Sequence, residues 1–302
     1  MLNKRPVFLN CFGGGGSTML VNLLISHPNV CLSAGETHNV FKPGTRFDSG
    51  WRGIKKRILY DYPIRILAGQ DVFGRRVLKE RKPISSSLQR YIDRILYNCR
   101  FEVMVESHNL YKAEGAEYTR EELANCRLLT KGLDGVVYTV NIFREMYPDA
   151  VFLALVRNGL AACEGRTRRG GSAERFGHVY SAVVKKMLAL AGEMPNYHVL
   201  RYEEMVSQPI EFMRKVYGLV GLDPAEVPKV RLESRPVTDR QGARVILKGS
   251  QRRVYWYGLD DLRGYIRSDI NENQIRQLLP ADREKFLSLA RKTMEQLGYP
   301  VD

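Results

Sequence analysis

The residues best placed to do chemistry are Gly13-Gly-Gly-Gly-Ser-Thr18, between an apolar run at 7–11 and an apolar helical pattern at 17–26. A strand, a glycine-rich turn and a helix N-terminus make an anion cradle. The glycines let the backbone approach a ligand, successive N–H groups converge, and the helix dipole favours negative charge. Ser17 reads as the cap of that helix. The nucleoside-triphosphate loop needs a lysine directly before its hydroxyl residue. With Thr18 as the hydroxyl, the lysine position holds Ser17; with Ser17, it holds Gly16. Ordinary ATP or GTP chemistry is therefore disfavoured. The dinucleotide pattern needs a further glycine that Ser17-Thr-Met19 does not supply. A turn without a ligand is the plain alternative, set against the entropy cost of four consecutive glycines.

Other residues of suitable chemistry fall near the ends of apolar runs. Arg157 follows the run 151–156, and its guanidinium fork suits a phosphate. Lys131 follows 128–130 and Tyr202 follows 197–201. Glu36 lies in Ala34-Gly-Glu-Thr37 and by itself reads as a loop acid; His38 and His108 read as polar loop residues. Basic groups concentrate at Arg166, Arg168 and Arg169, and at Lys248-Gly249 followed by Arg252-Arg253. The plain alternatives are a surface arginine at a strand end, a loop acid, a core aromatic and a solvated helix end. No metal-ligand spacing is visible, and five cysteines without a C-x-x-C pair read as reduced cytosolic thiols used in packing.

The elements that must position these groups alternate. Strands are expected at 7–11, 30–33, 102–106, 128–130, 151–156 and 197–201. Helices are expected at 52–59, 86–97, 119–125 (opened by a Thr119/Glu122 capping box), 136–146, 160–167, 173–192, 209–220 and 280–297. The alternation implies an α/β fold, a three-layer sandwich around a central, mainly parallel sheet. Its continuous apolar run 151–156 is a strand buried on both faces. With 302 residues, one domain spanning 1–302 is expected, with 37–120 as an insertion or cap that shapes the acceptor site.

The net charge of +14 admits a polyanionic ligand, a nucleic acid or an acidic surface. The charge is dispersed and no nucleic-acid motif is present, so no nucleic-acid partner is expected. No run of about 18 apolar residues indicates a transmembrane segment. The N-terminus enters its first strand at once, leaving no room for a signal peptide, and a cytoplasmic location is expected.

The order of these motifs resembles the sulfotransferase family that uses 3′-phosphoadenosine 5′-phosphosulfate (PAPS), closest to its carbohydrate and tyrosyl-protein branches. The glycine loop, the His27-Pro-Asn-Val30 turn and Gly35-Glu36 match its first site segment. Tyr147-Pro-Asp-Ala with the strand to Arg157-Asn158 matches its second, and Arg201-Tyr-Glu-Glu-Met with Pro209 its third. The resemblance implies a P-loop-like fold and sulfuryl transfer from PAPS to an acceptor hydroxyl, with no metal. It implies that Gly14, Gly15, Gly16, Ser17 and Thr18 hold the 5′-phosphosulfate and that Arg157 holds the 3′-phosphate. Gly165, Tyr202, Lys248 and Gly249 complete the nucleotide site, Glu36 is the base with His38 and His108 in reserve, and Lys131 reaches the sulfuryl or bridging oxygen. Gly14 stands where the family has Arg or Lys, and Gly165 where it has Ser. The acceptor is expected to be anionic or hydroxyl-rich: a carbohydrate, glycolipid or tyrosyl peptide. A binding protein that has lost catalysis and a P-loop small-molecule kinase are the alternatives.

Overall fold

The computed structural model describes residues 5–33, 51, 77–105, 119–234 and 253–301. Glu36, His38, His108, Lys248, Gly249, Arg252 and the helical pattern at 52–59 lie outside the described residues.

Five strands form one parallel sheet: β1 (Val7–Cys11), β2 (Val30–Leu32), β3 (Arg127–Leu133), β4 (Val151–Val156) and β5 (Tyr197–Arg201). The spatial order is β2-β3-β1-β4-β5, with Val7 opposite both Leu129 and Val151. Every residue of β1 and β4 is buried, because helices cover both faces. Alternation along β1 sends Phe8 to one core and Leu9 and Cys11 to the other. Phe8 stacks between Phe143 and Phe152, at ring-centroid distances of 4.6 and 5.2 Å.

One helical layer holds α1 (Ser17–Ile25), α7 (Tyr202–Ser207) and α8 (Pro209–Val220), which bury Leu20, Leu24, Met205 and Phe212 against the sheet. The other holds α2 (Ser86–Val105), α4 (Val140–Met146), α5 (Gly159–Thr167), α6 (Ala173–Glu193) and α11 (Pro280–Gln296). The chain is thus a three-layer α/β fold. The short helix α3 (Arg120–Asn125) has the expected capping box: Thr119 Oγ1 accepts from the Glu122 N–H at 3.1 Å, and Glu122 accepts from the Thr119 N–H at 2.7 Å. The strands β6 (Lys229–Ser234) and β7 (Arg253–Gly258) pair antiparallel outside the main sheet, and α9 (Leu262–Tyr265) and α10 (Ile270–Gln277) follow.

Four local expectations are corrected. The strand expected at 102–106 is helix as far as Val105: Ile92, Leu96 and Cys99 bury one face of α2, and extending a nucleated helix costs less than starting a strand. β3 continues past 130 to Leu133, so Lys131 lies inside the strand. The helix expected at 136–146 is a 3₁₀ segment, Asp134–Thr139, followed by α4. Ser17 is not the cap of α1; Gly16 is, at φ 83°, a conformation that takes no side-chain cap bond.

The carboxyl edge of a parallel sheet is where α/β folds bind ligands. The glycine loop follows β1 there, Asp134 follows β3, Arg157 follows β4 and Tyr202 follows β5.

Candidate active site

Two hydrogen bonds shape the glycine loop. The Gly15 N–H donates to Phe12 O at 3.0 Å, and the Met19 N–H donates to Gly16 O at 3.0 Å. Among the described residues, the N–H groups of Gly13, Gly14, Gly16 and Ser17 make no backbone hydrogen bond. They cluster at the positive end of α1, as an anion requires. Gly14 and Gly16 have φ of 88° and 83°, in the left-handed region that suits glycine. Gly16 is also needed for space, since a Cβ there would stand 2.1 Å from Tyr202 Cδ2. Ser17 is buried and Thr18 partly so.

Arg157 is buried behind this loop. Its Nη1 donates to Gly14 O at 2.9 Å, its Nε to Asn271 Oδ1 at 2.7 Å, and its Nη2 to Gln274 Oε1. The guanidinium lies 4.3 Å from the centroid of the Tyr202 ring. Desolvation pushes its pKa down, with Tyr202, Glu203 and Glu164 opposing that shift; an arginine this basic remains a cation. Three of its five N–H donors are therefore engaged by protein acceptors. Tyr202, expected near an adenine, packs between this guanidinium and Gly16 and is buried.

Two carboxylates fix the partners of Arg157. Glu203 accepts from the Asn158 N–H at 2.9 Å, Asn271 Nδ2 at 2.6 Å and the Tyr299 hydroxyl at 2.7 Å. Glu164 accepts from Gln274 Nε2 at 2.7 Å and pairs with Arg168 at 2.9 Å. The Tyr299 hydroxyl pKa is pushed upward by burial and by Glu203, so it stays a donor.

The arginine cluster after α5 divides. Arg166 donates to both oxygens of buried Asp134, at 3.2 and 3.0 Å, and its Nη2 lies 2.9 Å from where a Cβ of Gly13 would be. Arg168 turns to Glu164. Arg169 donates from Nε to Gly165 O at 2.5 Å, and its Nη2 lies 2.6 Å from where a Cβ of Gly14 would be. Lys131, expected at a strand end, is instead buried opposite Leu9, on the sheet face it shares with Leu129.

The structure thus brings together Gly14, Gly15, Gly16, Ser17, Arg157, Gly165, Arg169 and Tyr202. Reading the sequence missed Asp134, Glu203, Asn271, Gln274 and Tyr299. Glu203 stood inside the Arg201-Tyr-Glu-Glu-Met segment, and Asp134 carried a turn signal, an Asp-Gly pair after an apolar run. Asp134 has φ 49°, unusual for a residue with a side chain.

The family model described as "Sulfotransferase family" matches residues 6–226, which contain the sheet and the glycine loop. The chain belongs to the sulfotransferase family. Two solved structures share the fold of this sulfotransferase across its length. One is the sulfotransferase domain of the Synechococcus PCC 7002 olefin synthase, at 15% identity and TM-score 0.52, covering 99% of this chain and 97% of that one. The other is the sulfotransferase domain from the curacin biosynthetic pathway, at 12% identity and TM-score 0.50, covering all of both chains. Among curated proteins none matches. Among the described residues of this sulfotransferase, no His, Cys, Asp and Glu group is arranged to hold a metal ion, and no helix is long and apolar enough to cross a membrane. All five cysteines are buried thiols.

Proposed function

We propose that this sulfotransferase takes its sulfuryl group from PAPS and delivers it to a hydroxyl of a carbohydrate or glycolipid. One observation carries the reading: N–H groups without a backbone partner at the start of α1, flanked by Arg166 and Arg169, at the carboxyl edge of the sheet. That arrangement suits the 5′-phosphosulfate of the donor. Gly14, Gly15, Gly16, Ser17 and Thr18 hold that group. Gly165, Tyr202, Lys248 and Gly249 bound the rest of the nucleotide, and Arg157, which also braces the loop at Gly14, holds its 3′-phosphate.

Glu36 takes the proton of the acceptor hydroxyl as its oxygen attacks sulfur in line. The S–O bond to the 5′-phosphate breaks, and its electron pair stays on the departing bisphosphate. N–H groups and cations stabilise that developing charge. Lys131 lends positive charge from below the loop. Residues 37–120, which join the adjacent strands β2 and β3, shape the acceptor pocket within a single 1–302 domain. The basic surface suits an anionic or hydroxyl-rich acceptor, and a cytoplasmic enzyme fits the reduced cysteines.

Calorimetry with adenosine 3′,5′-bisphosphate, ATP and duplex DNA, followed by transfer of labelled sulfate to a panel of hydroxylated acceptors, tests the reading. Tight binding of the bisphosphate alone, with label transfer, supports it; no bisphosphate binding sinks it. A second reading, a nucleotide-binding protein without turnover, is favoured by Gly14, where the family's basic side chain is missing. Binding without transfer to any acceptor would select it.

A further inference from the structure

We propose that Arg169 is the cation of the glycine cradle, delivered from the end of α5 to the place where a side chain at position 14 would stand. The proposal rests on the sulfotransferase reading above.

Three independent features converge on Arg169. Its Nη2 occupies the space next to Gly14, 2.6 Å from an ideal Cβ position, so this guanidinium stands where a side chain at 14 would begin. The backbone of Gly14, at φ 88°, separately disfavours any side chain. Its Nε is held by Gly165 O at 2.5 Å, which points the Nη end of the fork at the loop. Gly165 is part of the same arrangement, because a Cβ on it would stand 3.3 Å from Gln274 Nε2 and 3.9 Å from Arg169 Nη2.

The neighbouring cations stand in different geometries. Arg166 is clamped by both carboxylate oxygens of Asp134, which offset its charge and fix it beside Gly13. Arg168 is paired with Glu164. Lys131 is buried inside β3, two residues short of the strand end. Arg169 is exposed at the loop mouth, and Gly14 is the exposed glycine of the loop. A ligand oxygen held by the loop N–H groups therefore meets the Arg169 guanidinium.

In the transfer step, the acceptor oxygen bonds to sulfur, the bridging S–O bond breaks, and its electrons settle on the 5′-phosphate oxygen. Arg169 neutralises that charge by hydrogen bonding and exchanges no proton. Arg166 and Asp134 are positioning residues that hold the other wall of the cradle.

The test uses the full chain and the variants Arg169→Ala, Arg169→Lys and, as a control on α8, Arg214→Ala. Calorimetry compares adenosine 3′,5′-bisphosphate with adenosine 3′-monophosphate, which lacks the 5′ group. Arg169→Ala is expected to weaken the bisphosphate at least about 10-fold and the monophosphate less than about 2-fold, on the scale of one charge-assisted contact. Turnover is expected to fall about 100-fold or more, as when one charge-stabilising donor is lost. Arg169→Lys should recover part of it, and added guanidinium ion should raise the turnover of Arg169→Ala but not of wild type. Equal loss for both nucleotides, or no loss for either, overturns the role of Arg169 while leaving the donor reading standing. A wild type that binds neither nucleotide overturns the donor reading itself, and the role of Arg169 with it.

Discussion

The guanidinium of Arg157 donates through Nη1 to the carbonyl oxygen of Gly14 at 2.9 Å. The N–H of the same peptide plane, that of Gly15, donates to Phe12 O at 3.0 Å, so both polar ends of this peptide are held by the protein. The bond thus fixes the backbone of the loop at Gly14, and the remaining contacts of Arg157, with Asn271 and Gln274, set the position of the bond.

Replacing Arg157 with Lys keeps the charge but loses the fork, and one ammonium cannot serve Gly14, Asn271 and Gln274 together. Arg157→Lys is expected to lower stability by about 1.5–3 kcal/mol, the scale of a buried charge-assisted hydrogen bond. Affinity for adenosine 3′,5′-bisphosphate is expected to fall with it. Denaturant unfolding and calorimetry check both; a variant with unchanged stability and affinity would remove Arg157 from the loop.

Gly16→Ala meets two penalties at once. The backbone at φ 83° is strained for alanine, by about 1–3 kcal/mol, and the added methyl collides with the Tyr202 ring. Because the strain is in the backbone, removing the ring in Gly16→Ala/Tyr202→Ala should not restore bisphosphate binding. Full recovery in the double variant would show that space alone dictates glycine at this position.

Glu36→Gln should lower turnover at least about 100-fold, the usual scale for a lost general base, while leaving bisphosphate affinity within about 2-fold. Steady-state rates of label transfer decide it. An unaffected turnover would pass the role of base to His38 or His108.

Acid weakens the fold through His27. The ring is buried, lies within 3.1 Å of Asp223 O and accepts the Asn29 N–H at 3.1 Å. Desolvation by burial lowers its pKa from the ordinary 6.5. The unfolded chain then takes up a proton more readily than the folded one. The stability held above about 6.5 is lost as the pH falls below it. Denaturant midpoints at pH 7.5 and 5.5 should differ more for wild type than for His27→Gln; equal shifts would remove His27 as the cause.

What the sequence disclosed was local. The run from β1 through the glycines into α1, the fully apolar β4 and the Thr119–Glu122 box each carry their signal within a few residues. The strand misread at 102–106 shows where local signals compete: short apolar alternation looked like a strand, and the amphipathic run before it extended the helix instead. The framework behind the loop was not legible. Asn271, Gln274 and Tyr299 are ordinary polar residues in sequence, Glu203 stood in a motif with no visible partner, and only the fold brings Asn271 and Gln274 to Arg157 and Tyr299 to Glu203. The missing cation at Gly14 is visible as a gap in the sequence, but the length of β3 and the contacts of Arg166 with Asp134 and of Arg169 with Gly165 are not.

The clasp formed by Asn271 and Gln274 on Arg157 also couples the glycine loop to α10, which lies far from it in sequence. A contact that closes over so much chain carries a large closure entropy, and it holds only while α10 stays docked. Local opening of α10 therefore releases the carbonyl of Gly14, so a change remote from the loop loosens the loop itself.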